Sequence, residues 1–122
     1  MMQESKTKIE DQFLVLAGDL LNVWIQAHGG EKATASVLEG HENLVAIVIQ
    51  NAFTPAEIHM EKMARTRKLI GEYAARLIDS IKPELVACVE KVLGRNVTGY
   101  WMEPDVGKGK LLFLFRFDDD ES

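Results

Sequence analysis

Apolar residues recur every three or four positions near the start of the chain, which is the spacing of one helix face. This pattern predicts a first helix from Ser5 to Gly30, and the breadth of its apolar stripe favours burial against a sheet. The pair Gly29-Gly30 supplies a left-handed stop that residues with a β-carbon resist. The stripe consists of Ile9, Phe13, Leu16, Leu20 and Trp24, widened by Leu14, Leu21 and Ile25.

Runs of β-branched and aromatic residues predict four strands. The first two span Ala33 to Leu38 and Asn43 to Gln50, and the turn signal at residues 39–42 makes them an antiparallel hairpin. The last two span Asn96 to Met102 and Lys110 to Phe117, joined by a loop at residues 103–109.

The residues after the second strand contain the signals of a helix N-terminus. Thr54 supplies a capping oxygen, Pro55 fits the first helical turn, and Glu57 can accept from the Thr54 amide. The apolar spacing then predicts a second helix as far as the Lys82-Pro83 step, where proline removes a hydrogen bond and favours a kink or a restart. Gly94 ends this helical region.

The element order is therefore α-β-β-α-β-β. It predicts an α+β fold in which a four-stranded, mainly antiparallel sheet packs against a long N-terminal helix and a long, Pro-kinked central helix. A chain of 122 residues fits one domain, with residues 1–6 and 118–122 expected to be frayed.

The strands are apolar on both faces, whereas antiparallel sheets usually leave one face polar. In the fourth strand Leu112 and Leu114 are apolar on the face opposite the phenylalanines, and the adjacent Tyr100 and Trp101 point to opposite faces. At least one of these two aromatic side chains is therefore expected in the core. Either a helix covers each face or a second protomer covers one, and we favour a homodimer with Leu112, Leu114 and Trp101 at its interface.

Composition narrows the classes of function. With 19 acidic and 14 basic residues the formal charge is −5, which makes a nucleic-acid partner unfavourable. We see neither a signal peptide nor an apolar run long enough to span a membrane, so a cytoplasmic location without membrane contact is expected. The single Cys88 fits a small core hydrophobe better than a nucleophile. The pattern predicts no catalytic residues, no cofactor and no metal site.

The middle helix carries the one basic region of this acidic protein. Lys68, Glu72 and Arg76 share a helical stripe with Arg65, and the spacing of Glu72 and Arg76 suits an exposed ion pair. Two interpretations stay open: a solvated, salt-bridged face, or a site for a small anion or an acidic protein partner. The candidate ligand-binding residues are His59, Arg65, Lys68 and Arg76.

The chain resembles the YbcI-like family of small bacterial proteins of unknown function. The resemblance rests on Thr-Pro-Ala-Glu at residues 54–57, Arg-Leu-Ile at 76–78, Lys-Pro-Glu-Leu at 82–85 and Val-Leu-Gly at 92–94. It transfers no catalytic residue and implies a link with inorganic-carbon uptake, and hence sensing or regulation. We expect a non-enzymatic regulatory or ligand-sensing module. A hydrolase or lyase acting on a small anion near His59 and Arg65 is the alternative, and a nucleic-acid-binding module is the third.

Overall fold

The computed structural model describes residues 2–118, with side chains from residue 9 onward. Helix α1 spans Met2–His28 and begins earlier than the predicted Ser5. It ends as predicted, because Gly29 and Gly30 adopt φ values of 93° and 122° that L-residues with a β-carbon rarely accept. The predicted apolar stripe is confirmed at Phe13, Leu16, Leu20 and Trp24, which are all buried, but Leu14, which was expected to widen it, is 63% exposed.

The remaining elements follow in the predicted order and form one antiparallel sheet. Its strand order is β1-β2-β4-β3, so the last strand lies in the middle beside β2. The α+β prediction is confirmed. The elements are β1 (Thr34–His41), β2 (Leu44–Gln50), α2 (Pro55–Lys62), α3 (Arg67–Leu93), β3 (Val97–Asp105), a short 3₁₀ turn η1 (Val106–Lys108) and β4 (Lys110–Phe117).

Two strands run further than the local pattern predicted. Strand β1 continues to His41, so the predicted turn at residues 39–42 is wrong and the hairpin turns at Glu42 and Asn43. A β-bulge after Val37 shifts the register, which lets the polar end of β1 stay paired with β2. Strand β3 likewise continues to Asp105, because its pairing with β4 is maintained to that point, and a second bulge lies between Val97 and Gly99.

The central helical region is interrupted before Arg67, not at Pro83. The Thr54 capping box is present as predicted, but α2 ends at Lys62 with Met63 in an extended conformation. The hydroxyl of Thr66 donates at 2.6 Å to the Met60 carbonyl, which also accepts from the Met63 backbone N–H at 3.3 Å, so the turn is tied to the end of α2. Of the kink or restart predicted at Pro83, the restart is wrong, because Pro83 lies inside α3, which continues to Leu93 before Gly94 at φ 67°.

The two long helices pack on one face of the sheet and enclose the core with it. Residues Val45, Ile47 and Phe113 to Phe117 at alternate positions supply the sheet side of that core. Gly40 permits a close approach, because a β-carbon there would lie 2.4 Å from the Phe13 ring. Cys88, predicted to be a core residue, is a partly buried free thiol that packs against this core from outside the buried cluster.

The C-terminal end is held to the start of β3 by a hydrogen bond. The ends predicted to be frayed lie mostly outside the described side chains, but the Asp118 carboxylate accepts from the Asn96 amide at 3.1 Å. In the described part of the chain, none of the helices combines the length and apolar character needed to cross a membrane.

Candidate functional site

The face of the sheet opposite the helices is apolar and open in the described chain; we call it the open face. Its side chains alternate along each strand with those that point into the core. The strand register fixes three rows across it. The first row holds Leu44, Arg116 and Gly99; the central row holds Ala46, Leu114 and Trp101; the third row holds Val48, Leu112 and Glu103.

The open face is accessible at its centre. Leu112 and Leu114 are half-buried by their neighbours on adjacent strands, and Trp101 is 53% exposed. A shallow depression lies beside the indole, lined by Leu44, Leu114 and Arg116 among others. All three interface candidates from the sequence therefore lie on one continuous surface.

The two adjacent aromatic residues of β3 point to opposite faces, as predicted. Trp101 pairs in register with Leu114, whereas Tyr100 pairs with the core residue Phe115 and so points to the helix side. The expectation that one of them is core is wrong, because Tyr100 is itself 49% exposed. The edge position of β3 explains this, since Tyr100 meets only the rim of α3, where the Lys82 ammonium lies 5.4 Å from its ring centroid.

A surface ion pair holds that ammonium group. Lys82 Nζ lies 3.1 Å from an Asp79 carboxylate oxygen. This hydrogen bond to Asp79 is the main cause that raises the pKa of Lys82. The arrangement borders a groove between α3 and Tyr100 on the helix side, away from the open face.

Two unpaired charges flank the apolar centre of the open face. Arg116 lies in the first row and Glu103 in the third, one on each side of the Leu114–Trp101 row. Both side chains are exposed, and neither forms an ion pair or hydrogen bond within residues 9–118. At the far edge, His41 Nε2 lies 3.1 Å from Glu39 Oε1.

The four predicted ligand-binding residues are dispersed over α2, the α2–α3 turn and α3. His59 lies on α2, Arg65 in the turn, and Lys68 and Arg76 on α3; all four are exposed. No hydrogen bond or ion pair joins any two of them in the described structure, and the predicted Glu72–Arg76 ion pair does not form there either. Arg76 instead lines a surface groove with Leu69 and Tyr73.

A buried cluster that sequence reasoning missed joins the end of α1 to the start of α2. The His28 side chain is 2% exposed and its Nε2 lies 2.8 Å from Glu57 Oε1. The ring stacks on Trp24 with centroids 4.7 Å apart, and Trp24 Nε1 donates to the Ala52 carbonyl at 3.0 Å. The i,i+4 spacing of Trp24 and His28 was the available signal. Because Glu57 also accepts from the Thr54 amide at 2.7 Å, this cluster positions α2.

Residues suited to metal binding or nucleophilic chemistry are not gathered in the described structure. No group of three or more His, Cys, Asp or Glu side chains there could hold a metal ion. Burial is the main cause that raises the pKa of the Cys88 thiol, which favours its neutral form over the reactive thiolate.

Comparison with known proteins gives one finding. A family model described as the Na⁺-translocating membrane potential-generating system (MpsC) matches residues 21–119. The resemblance to the YbcI-like family is therefore wrong, and the implied link with inorganic-carbon uptake loses its basis. No curated protein and no solved structure matches the chain.

Proposed function

The chain belongs to the MpsC family, and on that premise we propose that it is a non-catalytic regulatory subunit of a Na⁺-translocating, membrane-potential-generating system. The subunit acts from the cytoplasm as a homodimer, and the open face is its dimer interface. The rival hypotheses from the sequence, an enzyme acting on a small anion and a nucleic-acid-binding module, stay predictions.

The main support for this proposal is that the helices cover only one face of the sheet. Both long helices lie on one face, whereas the open face carries Leu112, Leu114 and a Trp101 that is 53% exposed. Contiguous apolar patches of this kind mark interaction sites, and tryptophan is enriched at the centre of protein interfaces. A second copy is a suitable occupant, because two-fold association presents the same patch from both protomers.

The interface is tested by a matched pair of substitutions on β3. Trp101→Ser removes the central aromatic of the open face, whereas Tyr100→Ser removes an equally exposed aromatic that points to the helix side. Sedimentation velocity at micromolar concentration should give a dimer for the wild type and for Tyr100→Ser, and a monomer for Trp101→Ser. A monomeric wild type, or equal behaviour of the two variants, would contradict the proposal.

The regulatory role is tested in cells that lack this chain and are complemented with each form. A potential-sensitive dye measures the Na⁺-dependent membrane potential. Tyr100→Ser should restore it to the wild-type level and Trp101→Ser should not. Full activity of a monomeric Trp101→Ser variant would separate the dimer from the function and refute the link between them.

A further inference from the structure

We propose that the two copies associate about a two-fold axis that runs across the strands along the row of Ala46, Leu114 and Trp101. In this arrangement Arg116 of each protomer pairs with the partner's Glu103. The inference rests on the proposed homodimer and specifies its orientation, and its test distinguishes the failure of each.

The charged residues of the open face lie on opposite sides of its centre. On β3 and β4 the three rows nearest the centre carry two charged residues, Arg116 in the first row and Glu103 in the third. The central row between them is uncharged on these two strands. The next charged pair, Asp105 and Lys110, lies a further row out beyond Glu103. The face therefore has a positive and a negative side separated by an apolar row.

Two-fold symmetry can bring these opposite charges together. A rotation of 180° about an axis along the central row exchanges the first row with the third, so the positive side of each copy meets the negative side of the other. Arg116 then lies over the partner's Leu112, and the partner's Glu103 is offset sideways by one strand, roughly 4.8 Å, across sheets that pack about 10 Å apart. The arginine and glutamate side chains together are long enough to cover that distance.

The other simple orientation has its two-fold axis along the strands, and it leaves the charges unpaired. An axis along the strands, between β2 and β4, would set Arg116 over the partner's Leu44 and Glu103 over the partner's Ser36. Arg116, on the inner strand β4, would then lose water without gaining an opposite charge, which is strongly unfavourable, and Glu103 on the edge strand β3 would gain no partner either. With the axis across the strands, Glu39 faces the partner's Glu39. This contact lies on the edge strand β1, where Glu39 Oε1 is 3.1 Å from His41 Nε2.

Charge reversal tests this orientation in the full-length chain. Glu103→Arg and Arg116→Glu each set like charges against each other twice per dimer, and each should raise the dissociation constant by about tenfold or more. The double variant E103R/R116E restores both pairs and should return to within about threefold of the wild type. Lys91→Glu on α3 is the control, because this exposed side chain lies on the helix side, away from the open face, and the substitution should leave the dissociation constant unchanged.

Mixing the two single variants gives the sharpest result. One protomer then carries two arginines and the other two glutamates, so a heterodimer regains both opposite-charge pairs. Sedimentation of the equimolar mixture should therefore give a dimer at a concentration where each variant alone is monomeric, which also establishes that both are folded.

The outcomes separate the two proposals. A monomeric wild type overturns both of them. A dimeric wild type whose dissociation constant is unaffected by the single reversals, or single reversals that neither the double variant nor the mixture rescues, overturns the orientation and leaves the dimer standing.

Discussion

The contact between Gly40 and Phe13 gives the most direct test of how α1 packs on the sheet. A β-carbon at Gly40 would lie 2.4 and 2.5 Å from two carbons of the Phe13 ring. The ring is 3% exposed and its centroid lies 6.2 Å from that of Phe117, so it has little free space to move into. The substitution Gly40→Ala should therefore overpack the core.

The magnitude follows from two opposing effects. Overpacking a core costs about 1–3 kcal/mol, whereas replacing glycine in a strand recovers roughly 0.5–1 kcal/mol through chain entropy. At the centre of these ranges the net loss should be about 1 kcal/mol, which for a chain of this length lowers Tm by about 4 °C. Urea unfolding followed by far-UV circular dichroism measures it, at one fixed protein concentration because association raises apparent stability.

A double-mutant cycle identifies the clash as the cause. Phe13→Leu removes the ring edge, so Gly40→Ala in that background should be neutral or stabilising, with a coupling energy of about 1–3 kcal/mol. Gly18→Ala is the control, because nothing lies within 4 Å of a β-carbon there, and it should stabilise α1 by about 0.5–1 kcal/mol. An equal cost of Gly40→Ala in both backgrounds would refute the packing argument.

Three further predictions concern other parts of the fold. Trp24→Phe removes the buried bond to the Ala52 carbonyl and should lower the free energy of unfolding by about 1–3 kcal/mol in urea titrations; no change would mean that water replaces the indole. Thr54→Ala should cost about 1 kcal/mol and Thr54→Ser much less, since serine keeps the capping oxygen that accepts from Glu57; equal losses would disprove the cap. Because burial raises the pKa of Cys88, its thiolate fraction at neutral pH is low, and iodoacetamide should alkylate the folded protein more slowly than the urea-unfolded one, with the rate rising towards alkaline pH; equal rates would contradict this.

Local sequence signals predicted the features that neighbouring residues determine. The Thr54 capping box and the Gly94 helix end each depend on a few consecutive residues, and both were predicted correctly. The interruption before Arg67 depends on contacts with the end of α2, including the Thr66 bond to the Met60 carbonyl, and contains neither glycine nor proline. At Pro83 only the restart alternative fails, because an exposed proline removes just one bond from a long helix that the core holds in place.

The candidate site was predictable in composition but not in its arrangement. Alternation along β4 identified Leu112 and Leu114 as a second apolar face, but no local pattern says on which face two helices pack. Arg116 and Glu103 were missed because each belongs to a different strand and their relation depends on register. The one available signal was that Arg116 interrupts the apolar series at 112 and 114.

The two β-bulges have a consequence for how copies of this chain avoid indiscriminate aggregation. Both lie on the outermost strands, after Val37 in β1 and beside Thr98 in β3, and Pro104 on β3 has no backbone N–H to offer. Irregular hydrogen-bonding edges resist the addition of further strands, which is the route to open-ended fibrils. Growth in the plane of the strands is thereby suppressed, which is compatible with the proposed homodimer of stacked sheets.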